Sequence, residues 1–143
     1  MDYVTAIEKS GARMTPVRRL VIEKIISSET PLSAQALQKY LKTKGKSVNK
    51  TTVYRTLTLL VSEKIIKEVH LISGGVRYES SDLPHHHHLN CTTCGRIQEV
   101  VCEDIETEVE RLKSRIGQKG FAIQSHNLEF YGVCEDCGEL GNK

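Results

Sequence analysis

The chain has 143 residues, a formal net charge of +2, and a composition of 38% hydrophobic and 27% charged residues. This length suits one average domain or two very small ones, and it excludes a large multidomain enzyme. The composition excludes a disordered tail. No apolar run approaches the roughly 18 residues that span a bilayer, and the N-terminal residues lack the pattern of a signal peptide. We therefore expect a cytoplasmic protein with no membrane partner.

The small net charge hides two halves of opposite charge. Residues 1–80 contain 14 Lys and Arg against 7 Asp and Glu, whereas residues 81–143 contain 6 against 11. The halves therefore carry charges of +7 and −5. Such an asymmetry indicates a basic binding module joined to an acidic one, although a charged surface can also be a merely solvated face.

The basic half is predicted to form short helices followed by a β-hairpin. Apolar residues recur at helical spacing, and residues suited to N-cap positions precede each repeat. The hairpin is indicated by a glycine turn between two β-rich runs. In chain order, the predicted elements are a short helix over 3–10, helices beginning at Thr15-Pro16, at Ser33 and near Asn49, and strands over 66–71 and 76–79.

This order of elements is typical of a winged helix-turn-helix, in which one helix enters a DNA major groove about 12 Å wide. The helix that begins near Asn49 has an apolar side and an opposite polar side. Hydroxyl, phenol and guanidinium groups on the polar side suit contacts to phosphates and base edges. The candidate DNA-binding residues are Arg18, Thr51, Thr52, Tyr54 and Arg55. The alternative is a small helical domain with a solvated basic surface.

The acidic half is predicted to begin after a linker around Asp82-Leu83-Pro84, which divides the chain into domains over 1–82 and 83–143. Its predicted elements are a strand over 97–101, an amphipathic helix with Ile105, Val109, Leu112 and Ile116 on one face and ended by Gly117 and Gly120, and a strand over 121–131. The predicted fold class is therefore α+β, with a winged-helix domain followed by an α/β domain.

Two C-x-x-C motifs, Cys91 to Cys94 and Cys134 to Cys137, lie in the acidic half with 39 residues between them. Disulfides are disfavoured in a reducing cytosol, and four thiolates close the tetrahedral shell of one zinc ion. The pattern predicts a structural zinc site. Two unrelated thiol pairs or a redox motif are the alternatives, and Cys102 is predicted to be a buried residue and not a ligand.

Four consecutive histidines, His85 to His88, precede the first C-x-x-C motif. In an extended segment, His85 and His87 share one face while His86 and His88 share the other. One run can therefore serve two metal sites. Imidazole with carboxylate suits iron, zinc, manganese or nickel, and the residues available to complete such sets are Glu79, Glu99, Glu106 and His126.

An enzymatic function is not favoured by the sequence. Gly45-Lys46-Ser47 lacks the earlier glycine of a phosphate-binding loop, because that position is Tyr40. Neither H-E-x-x-H nor G-x-S-x-G occurs. We therefore expect no enzyme and no small-molecule substrate. A zinc-stabilised metal-binding protein and a histidine-rich metallohydrolase remain alternatives, but neither accounts for the basic half.

Taken together, the motifs resemble the ferric uptake regulator family of bacterial metal-dependent repressors. The matching segments are Thr15-Pro16-x-Arg18, Thr52-Val53-Tyr54-Arg55-x-Leu57, the run from His85 to Gly95 and Tyr131-Gly132-x-Cys134-x-x-Cys137. The resemblance covers nearly the whole chain. It implies an N-terminal winged-helix domain, a C-terminal dimerisation domain, and a homodimer that binds a double-stranded DNA operator when a regulatory metal is loaded.

The resemblance also assigns metal ligands. It implies structural zinc on Cys91, Cys94, Cys134 and Cys137, a regulatory hinge site on Glu79, His86, His88 and Glu99, and a second site on His85, His87, Glu106 and His126. It places Tyr54 and Arg55 on the recognition helix. A metal in the hinge site is expected to fix the orientation of the two domains and thus the spacing of two recognition helices.

Two positions depart from the family pattern. Pro31 stands where many members have a further histidine ligand, and His87 stands where iron-responsive relatives often have Asp. The expected regulatory metal is iron(II), with zinc or manganese as alternatives. A zinc-responsive and a peroxide-responsive regulator of the same family are the alternatives. Glu99 stands where peroxide-sensing relatives typically carry Asp, which makes the peroxide-responsive alternative less favoured.

Overall fold

The structure is a computed structural model that describes residues 3–71 and 75–138. The chain divides into two compact units, one up to Leu83 and one from Pro84 onward. Helices and strands occur in both units, and the predicted α+β fold class is confirmed. Across the described residues, no helix combines the length and the apolar character needed to cross a bilayer.

Within residues 3–71 and 75–83, the first unit contains four helices, and three of them begin at the predicted caps. The side chains of Thr15, Ser33 and Asn49 each accept a hydrogen bond from a backbone N–H three residues later, which satisfies a donor left unpaired by the helix. The helices are α1 (Tyr3–Lys9), α2 (Pro16–Ile26), α3 (Ala34–Thr43) and α4 (Lys50–Ser62).

In the described part of the first unit the sheet has three strands, not the two predicted for the wing. The strands are β1 (Leu32–Ser33), β2 (Ile66–Leu71) and β3 (Gly75–Ser80), in the order β1-β3-β2. The short β1 pairs antiparallel with Tyr78 and Arg77 of β3. Two residues are too few to show an alternating pattern, so the sequence gives no signal for β1. Of the predicted glycine turn, Ser73 and Gly74 lie outside the described residues.

The core of the first unit lies between its helices and the sheet. Val53, Leu57 and Leu60, on the apolar side of α4, are buried, and Val61 is half-buried. They pack in one cluster with Ile7, Val21, Ile22, Ile25, Ala34, Leu37, Leu41, Ile65, Ile66 and Tyr78. Because one side of α4 is held in this core, its opposite side faces outward.

The second unit is built on a sheet in the order β5-β4-β6. Its elements are β4 (His87–Cys91), β5 (Ile97–Val100), α5 (Glu103–Gly117), β6 (Glu129–Gly132) and α6 (Glu135–Gly138). β4 pairs antiparallel with β5 and parallel with β6, so that His88 lies opposite both Glu99 and Glu129. Helix α5 lies in the connection that a parallel pair requires.

The strand predicted over 121–131 is wrong in most of its length, because regular pairing begins only at Glu129. β4 is five residues long and offers β6 a short edge, and Phe121 is 65% exposed. The loose alternation of apolar residues before Glu129 therefore reflects partial burial and not a strand. The strand predicted over 97–101 ends at Val100, and α5 ends at Gly117 as predicted.

Helix α5 shows the predicted apolar face, but no residue of this helix is fully buried. Ile105, Val109 and Ile116 are half-buried and Leu112 is 38% exposed. Among the described residues of the second unit, the buried hydrophobic side chains are Cys91 and Ile97. This unit therefore has a very small apolar core of its own.

Candidate metal centres and nucleic-acid interface

The outward side of α4 forms an open groove in the first unit. Its lining residues are Lys50, Thr51, Tyr54, Arg55, Thr58, Leu59 and Ser62. Three predicted DNA-binding residues, Thr51, Tyr54 and Arg55, are thus brought together on one exposed surface. This surface offers two cationic side chains and several hydroxyl groups, which suit phosphates and base edges.

The other two predicted DNA-binding residues are placed differently. The Thr52 hydroxyl donates to Asn49 Oδ1 at 2.9 Å, and the same oxygen accepts from the Thr52 backbone N–H at 2.8 Å. Thr52 is therefore part of the helix cap. Arg18 lies on α2, outside the groove, and its guanidinium donates to the Arg13 carbonyl oxygen.

The four cysteines of the two C-x-x-C motifs lie together, with their sulfur atoms all within 4.8 Å of one another. Cys94 Sγ and Cys134 Sγ are 3.7 Å apart. Four sulfurs at the usual Zn–S distance of ~2.3 Å lie about 3.8 Å apart in a tetrahedron. The cluster therefore fits a zinc ion. Cys102 does not belong to it and is half-buried just before α5.

Tight backbone turns hold the thiols in place. Gly95 has φ +72°, in the left-handed region that favours glycine, and its N–H donates to the Cys91 carbonyl at 2.9 Å. The second turn is closed by the N–H groups of Cys137 and Gly138, which both donate to the Cys134 carbonyl oxygen. An ion pair between Arg96 and Asp136 joins the two motifs.

The thiols differ in acidity. The backbone N–H of Cys134 donates to Cys91 Sγ at 3.3 Å, and with further N–H groups it lowers the pKa of Cys91 to about 5. Cys137 shares a hydrogen bond with Cys134 that favours its protonated form and raises its pKa to about 12. A bound zinc ion would displace the remaining protons and would link residues distant in sequence.

A second cluster surrounds one carboxylate oxygen. Glu106 Oε1 lies 2.7 Å from His87 Nε2, 3.2 Å from His126 Nε2 and 3.3 Å from His85 Nε2. The ligand atoms of all four residues lie within 4.8 Å of one another. The structure thus brings together the whole set that the resemblance assigns to a second site.

Two groups of this cluster have pKa values shifted toward the forms that bind metals. The hydrogen bond from His87 is the main cause that lowers the pKa of Glu106. Burial is the main cause that lowers the pKa of His85. An ionised carboxylate and neutral imidazoles are the forms that bind metals. Three nitrogens and one oxygen fit iron(II), zinc or manganese.

His86 and His88 lie on the opposite face of the histidine run, as the alternation predicts. Their ring centroids are 4.9 Å apart, and His86 Nε2 lies 3.8 Å from Glu99 Oε1. Glu99 is the cross-strand partner of His88. Within the second unit, three of the four residues assigned to the regulatory site are therefore neighbours.

The fourth assigned residue, Glu79, belongs to the first unit. It lies near the end of β3, its side chain is buried, and its Oε1 is 3.0 Å from Lys67 Nζ. Pro31, which stands where many family members have a histidine, is also in this unit and is fully buried.

Comparison with known proteins gives the family. The model of the ferric uptake regulator family matches residues 9–131. The chain belongs to this family. The predicted resemblance and the function of a metal-responsive transcriptional regulator are confirmed at this level.

Three relatives illustrate the range of the ferric uptake regulator family around this chain. A peroxide-responsive repressor of Staphylococcus epidermidis is 29% identical and covers 99% of this chain and 91% of its own. The Helicobacter pylori ferric uptake regulator, solved with three functional metal-binding sites, has a TM-score of 0.83, 27% identity and coverage of 94% and 87%. A zinc uptake regulator solved with zinc and DNA has a TM-score of 0.64, 25% identity and coverage of 97% and 92%.

Two residues beside the candidate regulatory ligands were missed by the sequence analysis. Glu129 Oε1 lies 3.1 Å from His88 Nδ1, and the Asn90 side chain donates to Glu129 Oε2 at 2.7 Å. Glu129 falls inside the strand predicted over 121–131. Its pairing with His88 depends on the register of β6 against β4, which the family motifs do not reveal.

Proposed function

We propose that the chain is a metal-dependent, DNA-binding transcriptional repressor that acts as a homodimer in the cytoplasm. One observation carries the proposal. Successive histidines of one segment alternate between two ligand clusters beside a four-sulfur cluster, in a chain whose other unit is a winged helix with an exposed polar groove. Metal occupancy can bias such a protein between DNA-competent and DNA-incompetent states.

The proposed metals follow from the donor atoms. Zinc bound to the four cysteines stabilises the fold of the second unit. A regulatory ion, iron(II) in the preferred case, is assigned to His86, His88 and Glu99 of the second unit together with Glu79 of the first. The role of the domains over 1–82 and 83–143, DNA binding and dimerisation respectively, is part of the same proposal.

The proposed DNA contacts are made by the groove of α4. Thr51, Tyr54 and Arg55 face the bases, while Thr52 and Arg18 act near the phosphates. In a homodimer, two such helices reach half-sites about one helical turn apart, which requires a near-palindromic operator.

The regulatory site is tested by the double variant His86→Ala/His88→Ala. Operator binding should lose its dependence on added metal and should fall at least tenfold at saturating iron(II), because two donors are gone. Gel shifts with iron(II), zinc and manganese, each repeated with a chelator, give the measurement. The same gel shifts rank the three metals by how strongly each promotes operator binding.

The matched control is His70→Ala, which removes an exposed histidine that pairs with Glu68 on β2. It should bind the operator as the unchanged chain does. Operator binding by His86→Ala/His88→Ala with normal affinity and normal metal dependence would show that these histidines do not hold the regulatory ion. A chain that binds metal but no DNA would be a metal-binding protein of another kind.

A further inference from the structure

Glu129 is clamped between two side chains of β4. Its Oε2 accepts a hydrogen bond from the Asn90 amide at 2.7 Å, and its Oε1 lies 3.1 Å from His88 Nδ1. Asn90 also donates to the Phe130 carbonyl at 3.3 Å. The side chains of His88 and Glu129 are 3% and 11% exposed. The carboxylate therefore has a fixed place beside the imidazole.

This contact determines which nitrogen of His88 can bind a metal. A carboxylate oxygen accepts hydrogen bonds, so Nδ1 of His88 is the donor of this contact and carries the hydrogen. In the tautomer with the hydrogen on Nδ1, Nε2 is the nitrogen that has a lone pair. In metalloproteins, an outer carboxylate of this kind orients a ligating histidine and makes it more basic.

We propose that Glu129 is a positioning residue that holds His88 in the Nδ1–H tautomer, with Nε2 directed to the regulatory ion. This proposal rests on the proposed function, because it assumes that His88 is a ligand. It assigns the regulatory site a charged outer residue that comes from β6, 41 positions beyond His88 in the sequence.

The neighbouring histidines show why the effect is confined to one site. His86 Nδ1 donates to the Pro84 carbonyl at 2.7 Å, so its tautomer is set by the backbone. The cluster around Glu106 uses Nε2 of His87, on the other face, and has no contact with Glu129 among its hydrogen bonds. Loss of Glu129 should therefore weaken one site and spare the other.

The experiment uses the full chain with zinc on its cysteines and compares Glu129→Gln with Glu103→Gln, which neutralises an exposed acid on α5. Cobalt(II) titration followed by absorbance measures the cobalt affinity of both histidine clusters. The binding step that is lost in His86→Ala/His88→Ala is the one due to the regulatory site. Glu129→Gln should lower cobalt affinity in that step by about 10- to 100-fold. Glu103→Gln should change neither step.

A second readout needs no bound regulatory metal. Long-range ¹H–¹⁵N NMR of the imidazoles should show His88 as the Nδ1–H tautomer in the unchanged chain and a mixture of tautomers in Glu129→Gln. An unchanged tautomer together with unchanged cobalt affinity would overturn the positioning role. Equal weakening of both histidine clusters, or loss of zinc, would also overturn it, because Glu129 would then support the sheet in general.

Different results of the cobalt titration would contradict the regulatory site and the role of Glu129. If the unchanged chain shows no cobalt step that depends on His86 and His88, the proposed regulatory site is wrong, whatever Glu129 does. If that step exists and Glu129→Gln does not change its cobalt affinity, the regulatory site is supported and Glu129 is not a positioning residue.

Discussion

Arg55 lies in the middle of the exposed groove of α4, beside Tyr54 and Thr51. A guanidinium there can bond two acceptors of a guanine edge, a contact that contributes about 1–3 kcal/mol to discrimination between bases. Arg55→Ala should therefore reduce the preference for operator over random DNA by roughly 10- to 100-fold. Fluorescence anisotropy with both DNAs at one salt concentration measures this ratio.

The control for Arg55 is Arg111→Ala, which removes an exposed arginine from α5 in the second unit. It should leave the ratio unchanged. An equal loss of affinity for both DNAs in Arg55→Ala would instead assign Arg55 to the phosphate backbone.

At the residue scale, the sequence predicts local chemistry well and long-range partners poorly. The caps at Thr15, Ser33 and Asn49 follow from side chains that bond their own neighbours, and the structure shows all three. The partnership of Glu129 with His88 crosses 41 positions and depends on a parallel register. No local pattern encodes that register, so Glu129 was overlooked.

At the element scale, the amphipathic pattern of α5 predicts the apolar face of the helix but not the surface that covers this face. The apolar face exists, but the chain itself covers it only partly, and Val101 and Val133 elsewhere in the same unit are 66% and 57% exposed. Periodicity predicts which side of a helix is apolar. It does not say whether the covering surface belongs to the same chain.

A second copy of the chain is the expected cover for α5. Leu112→Glu places a charge on the half-covered face and should weaken the homodimer at least tenfold, since burial of a leucine side chain contributes about 1.5–3 kcal/mol. Sedimentation equilibrium measures the dimer dissociation constant. Arg111→Glu is the matched control on the adjacent exposed position and should have little effect; a dimer unaffected by Leu112→Glu would place the interface elsewhere.

At the scale of the whole molecule, the two units differ in how they are held together. The first has an extensive apolar core, whereas the described part of the second buries few hydrophobic side chains. The four-cysteine cluster joins both ends of the second unit and encloses α5. Zinc should therefore contribute directly to the folding of the second unit, as structural zinc does in other small domains.

Removal of zinc should unfold residues from 84 onward and leave the first unit folded. Hydrogen exchange of the chain before and after treatment with a strong chelator measures this, with Cys137→Ser as the genetic equivalent. Cys102→Ser is the matched control, because Cys102 lies outside the sulfur cluster, and it should retain full protection. Equal loss of protection in both units would show that they unfold together.

The position of the cysteines also sets an order of metallation. Glu106 and His126 lie between Cys94 and Cys134, whereas His85 and His87 precede both. When zinc binds all four cysteines, it closes the loop that contains Glu106 and His126. This closure reduces the conformational entropy lost when these two residues approach His85 and His87. Zinc should therefore enter first and prepare the second site, so that a chain without zinc should bind metal more weakly on His85, His87, Glu106 and His126.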